Sequence, residues 1–208
     1  MSQRLIASAC SAAAIVSFLA IASLSPALAA AGDARVRGTV VSADATTLTV
    51  KTREGATTAV ALKPGWQIAG VTTASMDAIK PGDFVGVASL PKAAGGDGAL
   101  EVLIFPPALK GTGEGSYPWD LKPKSSMTNA TVSNAVKTVD GRSLTLTYPG
   151  GEKTISIADG TPIVTFAPAT PSDLKPGATV FVPAKRAEDG ALATGFVVVG
   201  ANGVVPPM

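Results

Sequence analysis

An all-β fold, with one small closed barrel used twice in tandem behind an export signal, is what this sequence predicts. Three observations carry the prediction. A stretch around Lys80-Pro81-Gly82 returns 95 positions later at Lys175-Pro176-Gly177, apolar and polar residues alternate with period two between turn signals, and the N-terminus is apolar and ends in small residues.

The first thirty residues carry a single charge, Arg4, then an Ala/Ile/Leu/Val run to Leu24, then Pro26 and two small-x-small sites, Ala27-Leu28-Ala29 and Ala29-Ala30-Ala31. This is the pattern of a secretory signal peptide over 1–30, cleaved near residues 29–31, and it places the mature chain in the periplasm or outside the cell. An uncleaved membrane anchor is the other reading of the run. Cleavage removes Arg4 and no acid, leaving 16 bases against 15 acids, a net charge of +1. That balance gives no electrostatic reason to bind nucleic acid. Cys10, the only cysteine, leaves with the leader, so stability rests on packing. No later stretch is apolar for long enough to span a membrane as a helix.

The mature chain divides into a first barrel repeat at 34–105, a bridge at 106–126, a second repeat at 127–200 and a C-terminal tail at 201–208. From Arg35 onward Val36, Gly38 and Val40 share a face. Leu48 and Val50, then Val60 and Leu62, do so in the next two strands, with turns at Asp44-Ala45-Thr46 and Glu54-Gly55. Lys63-Pro64-Gly65 is expected to stop the third strand. Met76 and Ile79 suit one helical turn within Thr73–Ile79, and the Pro-Gly turn then launches a strand over Phe84–Ser89, followed by another over Leu100–Phe105. The second repeat runs in the same order: Val132, Leu144, Leu146, Ile155 and Ile157 stand where the first has Val40, Leu48, Val50, Val60 and Leu62. Asp189-Gly190-Ala191-Leu192 is matched to Asp97-Gly98-Ala99-Leu100. Insertions between the copies fall in loops, which tolerate them. Five or six short strands with a helical turn before the last pair suggest an OB-like Greek-key barrel, in which closure removes the sheet edges. The expected core is Val40, Leu48, Val50, Val60, Leu62, Val85, Val87 and Leu100, with Val132, Leu144, Leu146, Ile155, Ile157, Val180, Val182 and Leu192.

The bridge is rich in Pro and Gly, yet it holds Tyr117 and Trp119, one of the two tyrosines and one of the two tryptophans. Flexible linkers seldom carry such rings, so they are expected to pack between the barrels. The alternative is an exposed recognition loop.

Several segments together resemble a family of exported bacterial proteins of unknown function: Val36-Arg37-Gly38-Thr39-Val40, Ile79-Lys80-Pro81-Gly82, Glu101-Val102-Leu103-Ile104-Phe105-Pro106, Gly111-Thr112-Gly113-Glu114-Gly115, Pro118-Trp119-Asp120-Leu121, Met127-Thr128-Asn129-Ala130-Thr131-Val132 and Val204-Val205-Pro206-Pro207-Met208. The resemblance covers the whole mature chain and implies export and a small β-barrel. Some members are labelled metal transporter permeases, a label that implies membrane spans this chain lacks after its leader. The resemblance also implies histidine where this chain has Leu103 and Ser116, so a histidine metal site does not carry over.

Chemistry is scarce. The chain has no histidine at all, which removes the commonest general base, the serine and cysteine triads, and the commonest zinc ligand. Gly95-Gly96-Asp97-Gly98 and Glu188-Asp189-Gly190 lack the alternating oxygens of a calcium loop and read as hairpin turns. Glu114 and Asp120 flank the bridge aromatics, and a glycosidase-like acid pair needs a defined separation that spacing alone does not supply. Gly111-x-Gly113-x-Gly115 follows no strand and opens no helix, unlike a phosphate loop. The expectation is therefore a non-catalytic binding or scaffold module of the cell envelope, without cofactor or metal, whose partner is an envelope protein or polymer and not nucleic acid. Its candidate contact surface is Trp66, Glu114, Tyr117, Trp119 and Asp120. An accessory protein of metal or solute uptake, holding a hard cation, is the first alternative, and a histidine-free envelope hydrolase is the second.

Overall fold

The computed structural model describes residues 31–138 and 141–206. The segment 1–30, expected to be a leader, and the last two residues of the expected tail lie outside the described residues. β1 (Gly32–Ala43), β2 (Thr47–Thr52) and β3 (Thr57–Thr73) form an antiparallel meander, as the alternating β-branched residues demand. The first turn is fixed by the Asp44 carboxylate, which accepts from the amides of Thr46 and Thr47. β4 (Phe84–Pro91) and β5 (Asp97–Ile104) make a hairpin, and β6 (Gly115–Pro118) lies in the bridge. β7 (Ser126–Thr138), β8 (Gly141–Tyr148) and β9 (Gly151–Ile157) form a second meander. β10 (Ile163–Ala167), β11 (Thr179–Arg186) and β12 (Leu192–Gly200) complete the chain. Among the described residues no helix is long and apolar enough to cross a membrane.

The strands close into two five-stranded barrels: the first draws its strands from both ends of the described chain, and the second is built from the stretch between them. In the first, β1 pairs with β2 and β2 with β3, while β11 lies beside β1 and β12 closes the ring by running parallel to β3. In the second, β7, β8 and β9 take the places of β1, β2 and β3. β4 lies antiparallel to β7, and β5 closes the ring parallel to β9. The expected units 34–105 and 127–200 thus do not each close on themselves. The chain leaves the first barrel after β3, lends β4 and β5 to the second, and returns β11 and β12 to the first. Nothing in the local pattern distinguishes this exchange from two sequential barrels, because both bury the same faces.

The interiors follow the alternation. One core gathers Val40, Leu48, Val50, Val60, Leu62, Val180, Val182 and Leu192, and the other gathers Val85, Val87, Val132, Leu144, Leu146, Ile155 and Ile157. Leu100 is the exception. It falls at a bulge, where the register jumps from Ala88↔Glu101 to Ser89↔Ala99, and it is only half-buried. β3 also departs from expectation: it passes through Pro64 and Gly65 without ending. The register against β12 jumps from Leu62↔Thr194 to Gln67↔Phe196, so residues 63–66 bulge outward with Gly65 at φ +74°.

Both Lys-Pro-Gly stretches are turns, with Gly82 at φ +94° and Gly177 at φ +86°. Each follows a single 3-10 turn, Met76–Ala78 capped by the Ser75 hydroxyl and Pro171–Asp173 boxed by Thr170 and Asp173. A second correction concerns Asp97. Asp189-Gly190 is a turn, but Asp97 and Gly98 already belong to β5, and the turn before them is Gly95-Gly96. The pairings Asp97↔Ile155 and Leu192↔Val60 make Asp97 the counterpart of Leu192, three positions from where sequence matching placed it.

β10 joins the barrels. It runs antiparallel to the far end of β3, with Phe166 opposite Val71, and parallel to β5. Between the barrels lies a third apolar cluster of Val71, Leu103, Val164, Phe181 and Val198. Phe105, Trp119, Phe166, Phe196 and Val204 pack against it. Phe105 contacts both Phe84 and Phe166, with ring centroids 5.3 Å and 5.7 Å away.

Candidate functional site

The bridge is ordered by pairing. β6 runs antiparallel to β7, from Gly115↔Asn129 to Pro118↔Ser126, and the Trp119 amide donates to Ser125 O at 2.8 Å to close the turn. Buried Ser125 ties that turn down, donating to the carbonyls of Trp119 and Lys122. The bridge therefore carries a strand that hangs on β7 outside the five-stranded ring, and its end reaches Arg35 and Arg37 of the first barrel.

Three of the five expected site residues come together there. The Tyr117 and Trp119 rings meet edge to face at 6.0 Å. Asn129 donates to the Tyr117 hydroxyl at 3.3 Å and to Thr112 O at 3.2 Å, which fixes the ring. Asp120 accepts from Arg37 Nη2 at 2.8 Å and has Arg35 Nη1 at 3.6 Å. The other two residues do not join. Trp66 lies half-buried on the core of the first barrel, and Glu114 is exposed in the turn before β6.

Sequence reading missed the arginines. Arg35 and Arg37 alternate on β1 with core-facing Val36, and that i, i+2 spacing of two cations around an apolar residue was the available signal. The Arg35 guanidinium lies 3.9 Å from the Trp119 ring centroid. Arg37, only 8% exposed, is 5.2 Å from the Phe181 ring and 5.7 Å from Trp119. A charge this deep requires a partner, and Asp120 supplies it. Burial works to raise the Asp120 pKa, but the Arg37 hydrogen bond and the charges of Arg37 and Arg35 outweigh it, and the carboxyl stays below its ordinary value. A carboxylate held ionised in this way suits anchoring and not proton donation, which counts against its use as the acid of a hydrolytic pair. Burial likewise pushes the Tyr117 phenol up, with the Arg35 charge opposing.

Beside these residues opens a cleft of about 460 Å³, walled by Arg35, Tyr117, Trp119, Phe181 and Pro183, with Asp33 at its rim in an ion pair with Lys185. Arg35 Nη1 reaches only 3.6 Å from Asp120 Oδ2, and among the described residues the buried Trp119 indole N–H has no hydrogen-bond partner. The described residues contain no group of three or more His, Cys, Asp or Glu that would hold a metal ion. Comparison with family models, with curated proteins and with solved structures finds no match for this chain.

Proposed function

We propose that this chain is an exported, non-catalytic binding module of the bacterial cell envelope, made by duplication of an OB-like unit, that takes its partner in the cleft beside Trp119. The observation that carries the proposal is Arg35. Its guanidinium lies over the indole, 27% exposed, with the Asp120 carboxylate 3.6 Å from one amino group, at the lip of an aromatic and proline-lined cleft. A stacked guanidinium is pre-organised, so it loses little freedom when it binds a carboxylate or phosphate. The rings beside it offer apolar surface to the body of the same ligand. The strand order of each barrel, three meander strands closed by a parallel fifth, supports the OB-like reading, and the leader pattern supports export.

The test is affinity capture from envelope extracts with wild type and Arg35→Ala. The variant is expected to retain its melting point to within a few degrees and to lose captured species. Identical captured sets remove the cleft as the contact surface.

A further inference from the structure

The two barrels have the same strand order but not the same mouth. At one end of the first barrel the inward positions are Ala34 opposite Ala184, Leu192 opposite Val60, and Thr58 opposite Val50. At the corresponding end of the second they are Ser126 opposite Ser89, Asp97 opposite Ile155, and Lys153 opposite Leu146. Where one barrel has two alanines, a leucine and a threonine, the other has two serines, an aspartate and a lysine.

The four polar side chains satisfy one another. Lys153 makes an ion pair with Asp97 and donates to Ser126 Oγ at 2.9 Å, Ser89 Oγ donates to Asp97 at 3.2 Å, and the two serine hydroxyls are 3.2 Å apart. The cluster is largely enclosed. Ser89 is fully buried, and the side chains of Asp97 and Lys153 are 15% and 23% exposed. Burying an ion pair is seldom the cheapest way to fill a barrel, so stability alone does not account for it.

Its composition does. Ser89 and Asp97 come from β4 and β5, whereas Ser126 and Lys153 come from β7 and β9, so the Lys153–Asp97 ion pair and the Ser89–Ser126 contact both cross the strand exchange. If β4 and β5 closed on β1–β3 instead, Asp97 and Ser89 would face Thr58 and Ala34, and the carboxylate would have no cation. If β11 and β12 closed on β7–β9, Lys153 would face Leu192 and Ala184. We infer that the Lys153–Asp97–Ser89–Ser126 cluster is a pairing lock, which admits β4–β5 to the second barrel and bars the chain from folding as two sequential barrels. Leaving one partner of such a pair buried alone shifts a competing arrangement out of reach by more than about a hundredfold.

Paired cysteines read the topology after unfolding, refolding and oxidation of the mature chain, which has none of its own. Gly98→Cys with Ser156→Cys reports the exchanged pairing, because these residues are opposite each other on β5 and β9. Gly98→Cys with Ala61→Cys reports the sequential pairing, in which β5 would lie on β3. In the native background only the first pair is expected to close. Ser89→Ala, Asp97→Leu, Ser126→Ala and Lys153→Thr together copy the mouth of the first barrel. This quadruple variant is expected to fold and to close both pairs in comparable amounts. Reversing the ion pair by Asp97→Lys with Lys153→Asp is expected to restore exclusive closure of the Gly98–Ser156 pair. A quadruple variant that fails to fold, or that still closes only the Gly98–Ser156 pair, overturns the inference.

Discussion

Trp119→Ala is the substitution that separates a packed bridge from a recognition loop. The ring packs against the inter-barrel cluster of Val71, Leu103, Val164, Phe181 and Val198, with Arg35 stacked on it. Truncating a buried Trp or Phe costs about 3–5 kcal/mol, and partial exposure puts this site at the lower end, about 3 kcal/mol. Loss of the cation–π contact adds about 0.5–1 kcal/mol. At about 2–4 °C per kcal/mol for a chain of this size, the melting point should fall by about 10 °C. Urea unfolding of wild type, Trp119→Ala, Arg35→Ala and the double variant gives the total and, from the cycle, a coupling of about 0.5–1 kcal/mol. A Trp119→Ala cost below about 1 kcal/mol would match an exposed residue and refute the packed reading.

Further outcomes follow from the same geometry. Trp119→Phe should cost much less than Trp119→Ala, because it keeps most of the packing and removes a buried N–H that has no partner; parallel melts compare the two. Asp120→Asn should destabilise at neutral pH. The folded-state pKa of Asp120 lies below its unfolded value, so the wild-type advantage is present above about pH 4 and fades as pH falls through the folded pKa, which a urea series from pH 7 to pH 2 reads. In Gly200→Ala the added Cβ would stand 1.7 Å from Val204 O, so the tail must lift away from Thr179, whose hydroxyl holds that carbonyl at 2.8 Å. Carboxypeptidase should then trim the variant faster than wild type. A protease cut between Gly111 and Glu114, in the exposed part of the bridge, should leave two pieces that co-elute and separate only as strand structure melts, since each barrel needs both.

The strands and their faces were legible in the sequence because one buried face per strand imposes alternation wherever the strand ends up. Val40, Leu48, Val60 and their counterparts at Val132, Leu144 and Ile155 are buried as their spacing requires. The Pro-Gly turns were legible for the same local reason. The choice of partner strand was not, because β4 presents the same apolar face to β7 as it would to β1. The polar cluster at Asp97 and Lys153 has no counterpart at the first barrel's mouth, and it was hidden by treating Asp97-Gly98 as a turn. At the candidate site the aromatics stood out by their rarity. Arg35 and Arg37 did not, because a cation alternating with valine is the ordinary appearance of a half-solvated strand, and their burial depends on strand β11 from the far end of the chain.

The exchange of strands is the central claim, and through-space proton contacts in an NMR spectrum of residues 31–208 test it most directly. Cross-peaks are expected between Val36 and Val182 on β1 and β11, and between Val87 and Thr128 on β4 and β7. Cross-peaks joining Val36 to Val87 and Thr128 to Val182 instead would mean two sequential barrels and would contradict the account.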